Sequence, residues 1–265
     1  LRTRRQRQMC IRDSSLSPEL HNFWINKFKI NATYSKLQID ENQLEDIITQ
    51  IRNGELKGIN ITVPFKEKIL NLVDKLTPEA EHAQSVNTVY KEGKKVIGHN
   101  TDIAGFELSI RHHKVDVKNK KILILGSGGV VPSIIIALQK LNVAKIYMMN
   151  RTREKAEKLS KRFKNLTVLN WGEKCDFELI INATSVGINK NEDLKLEFNH
   201  LPPNRIFYDV IYNPEETLFL KNAKANLHRI INGKMMFIYQ AHQSFTIWHK
   251  VMPKIDDDTI NKIKI

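Results

Sequence analysis

The sequence predicts an α/β protein of two domains, in which the second domain is a doubly wound parallel sheet. From residue 121 onward, short apolar segments alternate with segments of helical period, beginning with KILIL at 121–125. Strands that alternate with helices of about 10 to 15 residues form parallel βαβ units with right-handed crossovers. The residues before this sheet follow a less regular order. A chain of 265 residues is long enough for both domains.

Two helices are predicted near the start of the first domain. Ser17 and Pro18 are typical of a helix cap and a first helical residue, and this helix covers residues 18–30. Apolar residues at i, i+3, i+4 and i+7 predict an amphipathic helix over 41–52. Gly54 marks its end.

A strand, a third helix and a hairpin follow. The β-branched run at 58–63 predicts a short buried strand, and the apolar pattern after it predicts a helix over 64–76. The segments 86–90 and 96–100 flank a turn that contains Gly93, which is typical of a β-hairpin.

The second domain continues with further strands and ends at a long helix. Its strands are predicted at 121–125, 144–150, 166–169, 178–183, 205–212 and 227–231. Helices over about 131–141 and 152–163 follow the first two strands. A helix over 234–251 begins after Gly233, and we expect it to return to the first domain.

Charge and cysteine content exclude several classes of protein. The net charge is +13, but five arginines lie within residues 1–12, and no zinc-finger, RNA-binding or basic-zipper pattern accompanies the charge. We therefore expect no nucleic-acid partner. Cys10 and Cys175 fit no metal-ligand spacing and are expected to be free thiols, with no bound metal. Without an apolar run of about 18 residues, the sequence predicts a cytoplasmic protein with no membrane contact.

Glycines follow the first strand of the second domain. The segment comprises Gly126, Ser127, Gly128, Gly129 and Val130. Between a buried strand and a helix, such glycines leave backbone N–H groups free to hold a pyrophosphate. The spacing G-x-G-G differs from the usual dinucleotide pattern, so a plain tight turn is an alternative. Pro132 is compatible with a pyrophosphate loop and with a tight turn, because the first helical turn has unpaired N–H groups in either case.

Polar and basic residues after the second strand distinguish the two alternatives. They are Asn150, Arg151, Thr152, Arg153 and Lys155. An acid here would bind the ribose 2′-hydroxyl of NAD, whereas guanidinium and ammonium groups suit the 2′-phosphate of NADP. A basic surface turn would oppose the helix macrodipole, unless an anion binds there. The sequence therefore predicts a Rossmann-like domain that binds NADP.

Three stretches of the first domain carry polar residues beside predicted helices. SSLSPELHN contains Ser15 and Ser17, INITVPFKEK contains Thr62 and Lys66, and VIGHNTDIAGF contains Asp102. Helix caps and a solvated lysine would explain each of them separately. A lysine and an aspartate near a nicotinamide would also form a proton-transfer pair.

The ordered set of motifs resembles the shikimate dehydrogenases, the NADP-dependent enzymes of aromatic amino-acid biosynthesis. The matching segments are SxSPxxHN (15–22), INITVPFKEK (59–68), SVNTV (85–89), GHNTDIAGF (98–106), GSGGVVPS (126–133), NRTREKA (150–156), INATSVGI (181–188), DVIYNP (209–214) and NGKMMFIYQA (232–241). They cover roughly residues 15 to 250. The resemblance implies an oxidoreductase that reversibly reduces 3-dehydroshikimate to shikimate by hydride transfer from NADPH to the C3 ketone.

The resemblance also implies roles for individual residues. Lys66 and Asp102 match the family's catalytic pair. The positions that match substrate contacts are Ser15 and Ser17 for the carboxylate, Thr62, Asn87, Asp102 and Gln240 for the ring hydroxyls and reacting oxygen, and Tyr212 on the substrate side. The positions that match cofactor contacts are Gly126 to Val130 for the pyrophosphate, Asn150 to Lys155 for the 2′-phosphate, and Val210 and Gly233 near the nicotinamide.

Domain bounds follow from the same resemblance. The substrate domain is expected at 15–102 plus 234–265, and the NADP domain at 103–233. Residues 1–14 depart from the family pattern, with Ser14 where the histidine of a G-x-P-I-x-H strand is expected. We therefore expect these residues to be a non-family extension. The expected partners are the small-molecule substrate and, as one option, a second copy of the chain in a homodimer.

Three other classes of protein share part of this pattern. Quinate/shikimate dehydrogenases carry nearly all the motifs but often accept NAD, which the segment NRTREK disfavours. A non-catalytic sensor on the same fold would not need both Lys66 and Asp102. Relatives such as methylene-tetrahydrofolate dehydrogenase would not be expected to carry the SxSP and NTD motifs together.

Overall fold

Two α/β units make up residues 16–189 and 191–263, the part of the chain that a computed structural model describes. One unit runs to Gly105 and resumes at Ile238, and the other runs from Phe106 to Phe237. We call them unit 1 and unit 2. The predictions for Ser15 and for residues 1–14 lie outside the described residues.

Unit 1 contains short helices around a small sheet. Its helices are α1 (Ser17–Lys27), α2 (Leu44–Asn53), α3 (Pro78–Ala83), the start of α4 (Asp102–His112), the end of α8 (Lys234–His249) and α9 (Asp257–Lys262). Its strands are β1 (Gly58–Asn60), β2 (Lys75–Leu76), β3 (Thr88–Glu92) and β4 (Lys95–His99). The sheet order is β1-β3-β4-β2, in which β1–β3 and β3–β4 are antiparallel and β2–β4 is parallel.

The predicted hairpin and amphipathic helix are confirmed. Tyr90 pairs with Ile97 across β3 and β4. In α2, the apolar face formed by Leu44, Ile47, Ile48 and Ile51 is at most 5% exposed and joins the core of unit 1. Burial of each such side chain contributes about 1.5 to 3 kcal/mol, which fixes the helix against the sheet.

The start of the first helix differs in detail from its prediction. Ser17 is the first residue of α1, and the cap position is Leu16. The Leu16 carbonyl accepts the N–H of Leu20, so the first intrahelical bond begins one residue earlier than the Ser17 cap would give. Pro18 lies in the first turn, where its missing N–H is not needed.

The predicted helix over 64–76 is wrong. This segment forms turns, a short 3₁₀ helix at Lys68–Asn71 and the edge strand β2. The Lys66 carbonyl accepts the N–H of Val86, and the N–H of Asp74 binds the Val96 carbonyl. These backbone groups pair with β4 and with the residue segment before β3, so they are not available for a continuous helix. The apolar side chains of the segment still pack on the core of unit 1.

Unit 2 is the predicted doubly wound sheet. Its strands are β5 (Lys121–Leu125), β6 (Lys145–Met149), β7 (Leu166–Val168), β8 (Leu179–Asn182), β9 (Ile206–Asp209) and β10 (Arg229–Ile231). The order is β10-β9-β8-β5-β6-β7, and each neighbouring pair is parallel. Between the strands lie α5 (Val131–Lys140), α6 (Arg153–Ser160) and α7 (Leu218–Ala225). The strand order reverses direction between β5 and β8, and ligands of such sheets bind at this point, beyond the carboxyl ends of the strands.

The C-terminal segment of unit 1 completes an aromatic core. Trp248 donates its indole N–H to the Val89 carbonyl at 3.1 Å, and Phe245 packs edge-on against Trp24 with ring centroids 5.3 Å apart. Within the described residues, we find no helix with the length and apolar character that a membrane crossing requires.

Candidate active site

A largely buried ion pair joins the turn after β1 to the start of α4 in unit 1. Lys66 lies in the turn after β1, and Asp102 is the first residue of α4. Lys66 Nζ lies 2.6 Å from Asp102 Oδ2, and the two side chains are only 12% and 9% exposed. The hydrogen bond from Val86 N–H to the Lys66 carbonyl holds this turn against the β3 side of the sheet. An ammonium group held this way can donate a proton to a neighbouring oxygen, while the carboxylate keeps the lysine side chain in place.

Asn87 holds the carboxylate of this pair. Its amide nitrogen donates to Asp102 Oδ1 and to Thr101 Oγ1, both at 2.9 Å. Its amide oxygen accepts the backbone N–H of Thr101 at 2.8 Å. Asn87 is 3% exposed, so these bonds occur away from water and fix the orientation of Asp102.

Asn100 is a second positioning residue, to which the sequence analysis assigned no role. Its side-chain oxygen accepts the N–H groups of Asp102 and Ile103 and so caps α4. Its amide nitrogen donates to the Ser85 carbonyl at 2.8 Å. The signal available in the sequence was a capping-type residue two positions before an acid at a helix start.

The remaining substrate positions are divided between the units. Ser17 is buried at the start of α1, while Thr62 and Gln240 are half-buried in unit 1. Tyr212 belongs to unit 2, where its ring stacks on Phe237 with centroids 4.5 Å apart.

The glycine loop of unit 2 is tightly packed at its first glycine and open at its second. Gly126 has φ +106°, and a Cβ there would lie 2.9 Å from Thr184 Cγ2 and 3.0 Å from the Ala183 carbonyl oxygen. Gly128 is exposed, and a Cβ there would find its nearest atom only at 3.9 Å. Packing within the protein therefore requires the first glycine but not the second. The loop leads directly into the N-terminus of α5, with Pro132 in its first turn. The open space at Gly128 and the helix N-terminus fit a bound pyrophosphate.

Basic side chains follow the neighbouring strand β6. Arg153 is already engaged, since its guanidinium binds Glu157 Oε1 and Asn170 Oδ1, each at 2.7 Å. Arg151 and Lys155 are exposed and form no ion pair with any other described residue. These two cations are therefore the ones available to a 2′-phosphate. Asn150 binds the Thr152 carbonyl and shapes the turn that presents Arg151.

Val210 and Gly233 lie in contact in unit 2. A Cβ at Gly233 would overlap the Val210 carbonyl, so only glycine allows this approach. The N–H of Gly233 also donates to the Ile211 carbonyl at 3.0 Å.

A doubly wound sheet with an open glycine loop and exposed cations after its second strand is typical of NADP-dependent dehydrogenases. Two family models narrow this class. "Shikimate dehydrogenase substrate binding domain" matches residues 11–89, and "Shikimate / quinate 5-dehydrogenase" matches residues 108–186. The chain belongs to the shikimate dehydrogenase family.

Individual relatives agree with this assignment. The chain is 53% identical to the NADP(+) shikimate dehydrogenase of Pelagibacter ubique over 95% of each protein. It resembles the crystal structure of shikimate dehydrogenase from Aquifex aeolicus at 33% identity, with a TM-score of 0.90 over 99% of this chain and 98% of that one. The Thermus thermophilus enzyme, solved with NADP(H) and shikimate, is 27% identical with a TM-score of 0.87 over 97% of each chain.

Proposed function

We propose that this protein catalyses the reversible, NADPH-dependent reduction of 3-dehydroshikimate to shikimate in aromatic amino-acid biosynthesis. The observation that carries the proposal is the ion pair of Lys66 and Asp102, which is nearly buried and held at 2.6 Å. Because the chain belongs to the shikimate dehydrogenase family, we infer that this pair acts on 3-dehydroshikimate and shikimate. The cations after β6 support NADP over NAD as the cofactor.

Lys66 acts as the proton donor in this proposal. When bound, NADPH supplies the hydride that reaches the C3 ketone carbon. Lys66 Nζ donates a proton to the ketone oxygen, so one hydride and one proton convert the carbonyl to a hydroxyl group. Asp102 holds the ammonium beforehand, and solvent returns the proton afterwards. In the oxidation of shikimate, the neutral amine of Lys66 accepts the hydroxyl proton.

The other polar residues bind the substrate in this proposal. Ser15 and Ser17 bind its carboxylate, and Thr62 and Gln240 bind ring hydroxyls. Asn87 fixes the orientation of the Asp102 carboxylate, because its amide hydrogens are donated to Asp102 and Thr101. Tyr212 contacts the substrate from unit 2.

NADP binding is assigned to unit 2. The loop from Gly126 to Val130 holds the pyrophosphate, and Arg151 and Lys155 hold the 2′-phosphate with help from Asn150, Thr152 and Arg153. Val210 and Gly233 border the nicotinamide. We assign the expected substrate domain, at 15–102 plus 234–265, to unit 1 and the expected NADP domain, at 103–233, to unit 2, although the two units divide at Gly105 and Ile238. A homodimer and a cytoplasmic location remain predictions, and sedimentation of the purified protein tests the first.

A substrate panel tests the proposed function. Change in absorbance at the NADPH band is followed with shikimate or quinate, each paired with NADP or NAD. We expect the highest kcat/KM for shikimate with NADP. Folded protein that turns over none of the four pairs would contradict the enzyme assignment, and a preference for quinate with NAD would move the protein to the quinate/shikimate class.

A further inference from the structure

A buried polar cluster lies at the carboxyl ends of β8 and β9 and takes no part in the chemistry proposed above. Asn182 ends β8, Asp209 ends β9, and the two residues pair across the sheet. Thr217 precedes α7. The three residues are at most 2% exposed. We call them the Asp209 cluster.

The carboxylate of Asp209 is buried beside neutral donors. Its Oδ2 accepts the Thr217 hydroxyl at 2.7 Å, its Oδ1 accepts the Ile211 N–H at 3.0 Å, and both oxygens lie within 3.2 Å of Asn182 Nδ2. No cation of the described chain forms an ion pair with it. Burial raises the pKa of Asp209 to about 6, although these three hydrogen-bond donors act to lower it. Burial of a carboxylate that has no cationic partner destabilises the folded protein. A role of Asp209 beyond packing would explain why it lies at this position.

Asn182 connects the cluster to the loop after β8. Its side-chain oxygen accepts the N–H of Thr184 at 3.1 Å and the Thr184 hydroxyl at 2.7 Å. Its amide nitrogen also donates to the Val186 carbonyl. Thr184 and its neighbour are the residues against which Gly126 packs. The amide of Asn182 therefore fixes the loop that supports the glycine loop.

Thr217 and Ile211 connect the cluster to the loop after β9. Thr217 caps α7 through the Leu220 N–H and lies directly against Gly187 of the β8 loop. The Ile211 N–H binds Asp209, and the neighbouring Val210 carbonyl borders Gly233. One carboxylate thus fixes both ends of the segment 209–217.

We propose that the Asp209 cluster positions the cofactor site, by fixing together the loops after β5, β8 and β9. This inference rests on the proposed function, which assigns NADP to the loops after β5 and β9. Asp209, Asn182 and Thr217 are positioning residues, and they act on the cofactor through Thr184, Gly126 and Val210. Each loop alone would have the freedom of a surface turn, and ordering them in advance lowers the entropy cost of binding.

Two substitutions of Thr217 separate the hydroxyl from the packing. Thr217→Val keeps the branched shape against Gly187 but removes the donor to Asp209. Thr217→Ser keeps the donor. We expect Thr217→Val to raise the Kd for NADPH, measured by fluorescence titration, about tenfold, and Thr217→Ser to stay within about twofold of the wild type. The KM for shikimate at saturating NADP is expected to change less than twofold in both variants. If Thr217→Val does not fold, Asp209→Asn replaces it under the same criteria.

Thr259→Val is the matched control. Thr259 of unit 1 is also fully buried and donates its hydroxyl to a carboxylate, Asp256 Oδ1, at 2.8 Å. We expect this variant to lower the melting temperature and leave the Kd for NADPH unchanged. Equal effects of Thr217→Val and Thr217→Ser, or an equal rise in Kd for Thr259→Val, would overturn the positioning role while the wild-type activity stands. Wild-type protein that neither binds NADPH nor oxidises shikimate would overturn both the role and the proposed function.

Discussion

At the scale of single residues, the site in unit 1 depends on side chains that bind one another. Asp102 accepts from Lys66 and Asn87, and its own N–H binds Asn100. Buried polar groups that lose a partner cost about 1 to 3 kcal/mol each. The proposed catalytic pair is therefore held in place by hydrogen bonds from Asn87 and Asn100.

Removal of either member of the pair tests the proton transfer. We expect Lys66→Ala and Asp102→Asn each to lower kcat by about 10² to 10⁴, the usual contribution of general acid–base catalysis. Lys68→Ala is the control, because Lys68 lies two residues away and is exposed. Steady-state rates with shikimate and NADP measure the effect. Near-normal turnover in Lys66→Ala would contradict the assigned role.

The two arginines after β6 should differ in their effect on cofactor choice. Arg151 has no ion-pair partner among the described residues, whereas Arg153 is bound to Glu157 and Asn170. We therefore expect Arg151→Ala to raise the KM for NADP about tenfold or more and to leave the KM for NAD nearly unchanged. Arg153→Ala should have the smaller effect. The opposite ranking would assign the 2′-phosphate to Arg153.

At the scale of elements, regular strands and helices were predictable because their apolar periods are local. The sheet of unit 2 and the β3–β4 hairpin are confirmed. The helix predicted over 64–76 does not form because Val86, just before β3, and Val96, in β4, bind its backbone groups. Contacts between residues that are far apart in the sequence also limit what can be predicted of the site. The motifs pointed to Lys66 and Asp102, but no local pattern predicts that Arg153 pairs with Asn170 or that Thr217 binds Asp209.

The glycine loop offers a test at this scale that separates a phosphate cradle from a tight turn. A Cβ at Gly128 meets open space, so we expect Gly128→Ala to keep the wild-type melting temperature but to weaken NADPH binding about tenfold or more. Gly126→Ala is the comparison, because its positive φ and close neighbours should lower the melting temperature as well. If Gly128→Ala binds NADPH as tightly as the wild type does, the loop is a plain turn and not a phosphate-binding loop.

At the scale of the whole molecule, stability should depend on pH through buried histidines. His21 is fully buried among aromatic rings and stacks on Tyr34 with centroids 4.2 Å apart. Burial, followed by the charge of His249, lowers the pKa of His21 to about 3. The unfolded chain takes up this proton near pH 6.5, and the folded protein does so only near pH 3. Stability is therefore lost as the pH falls below 6.5.

Unfolding at two pH values measures this loss. We expect His21 alone to lower the free energy of unfolding by roughly 2.5 kcal/mol between pH 7 and pH 4.5. His21→Phe keeps an aromatic ring and should reduce the dependence on pH by that amount. His82→Phe is the control for the same substitution at an exposed site. A His21→Phe variant with the wild-type dependence would contradict the assignment.

The proposed reaction can be tested by following the hydride itself. NADPH that carries deuterium at the transferable position of its nicotinamide is incubated with 3-dehydroshikimate and the wild-type protein, and the product is examined by NMR. We expect shikimate with one deuterium at C3. Unlabelled shikimate, or no shikimate from folded protein, would contradict it.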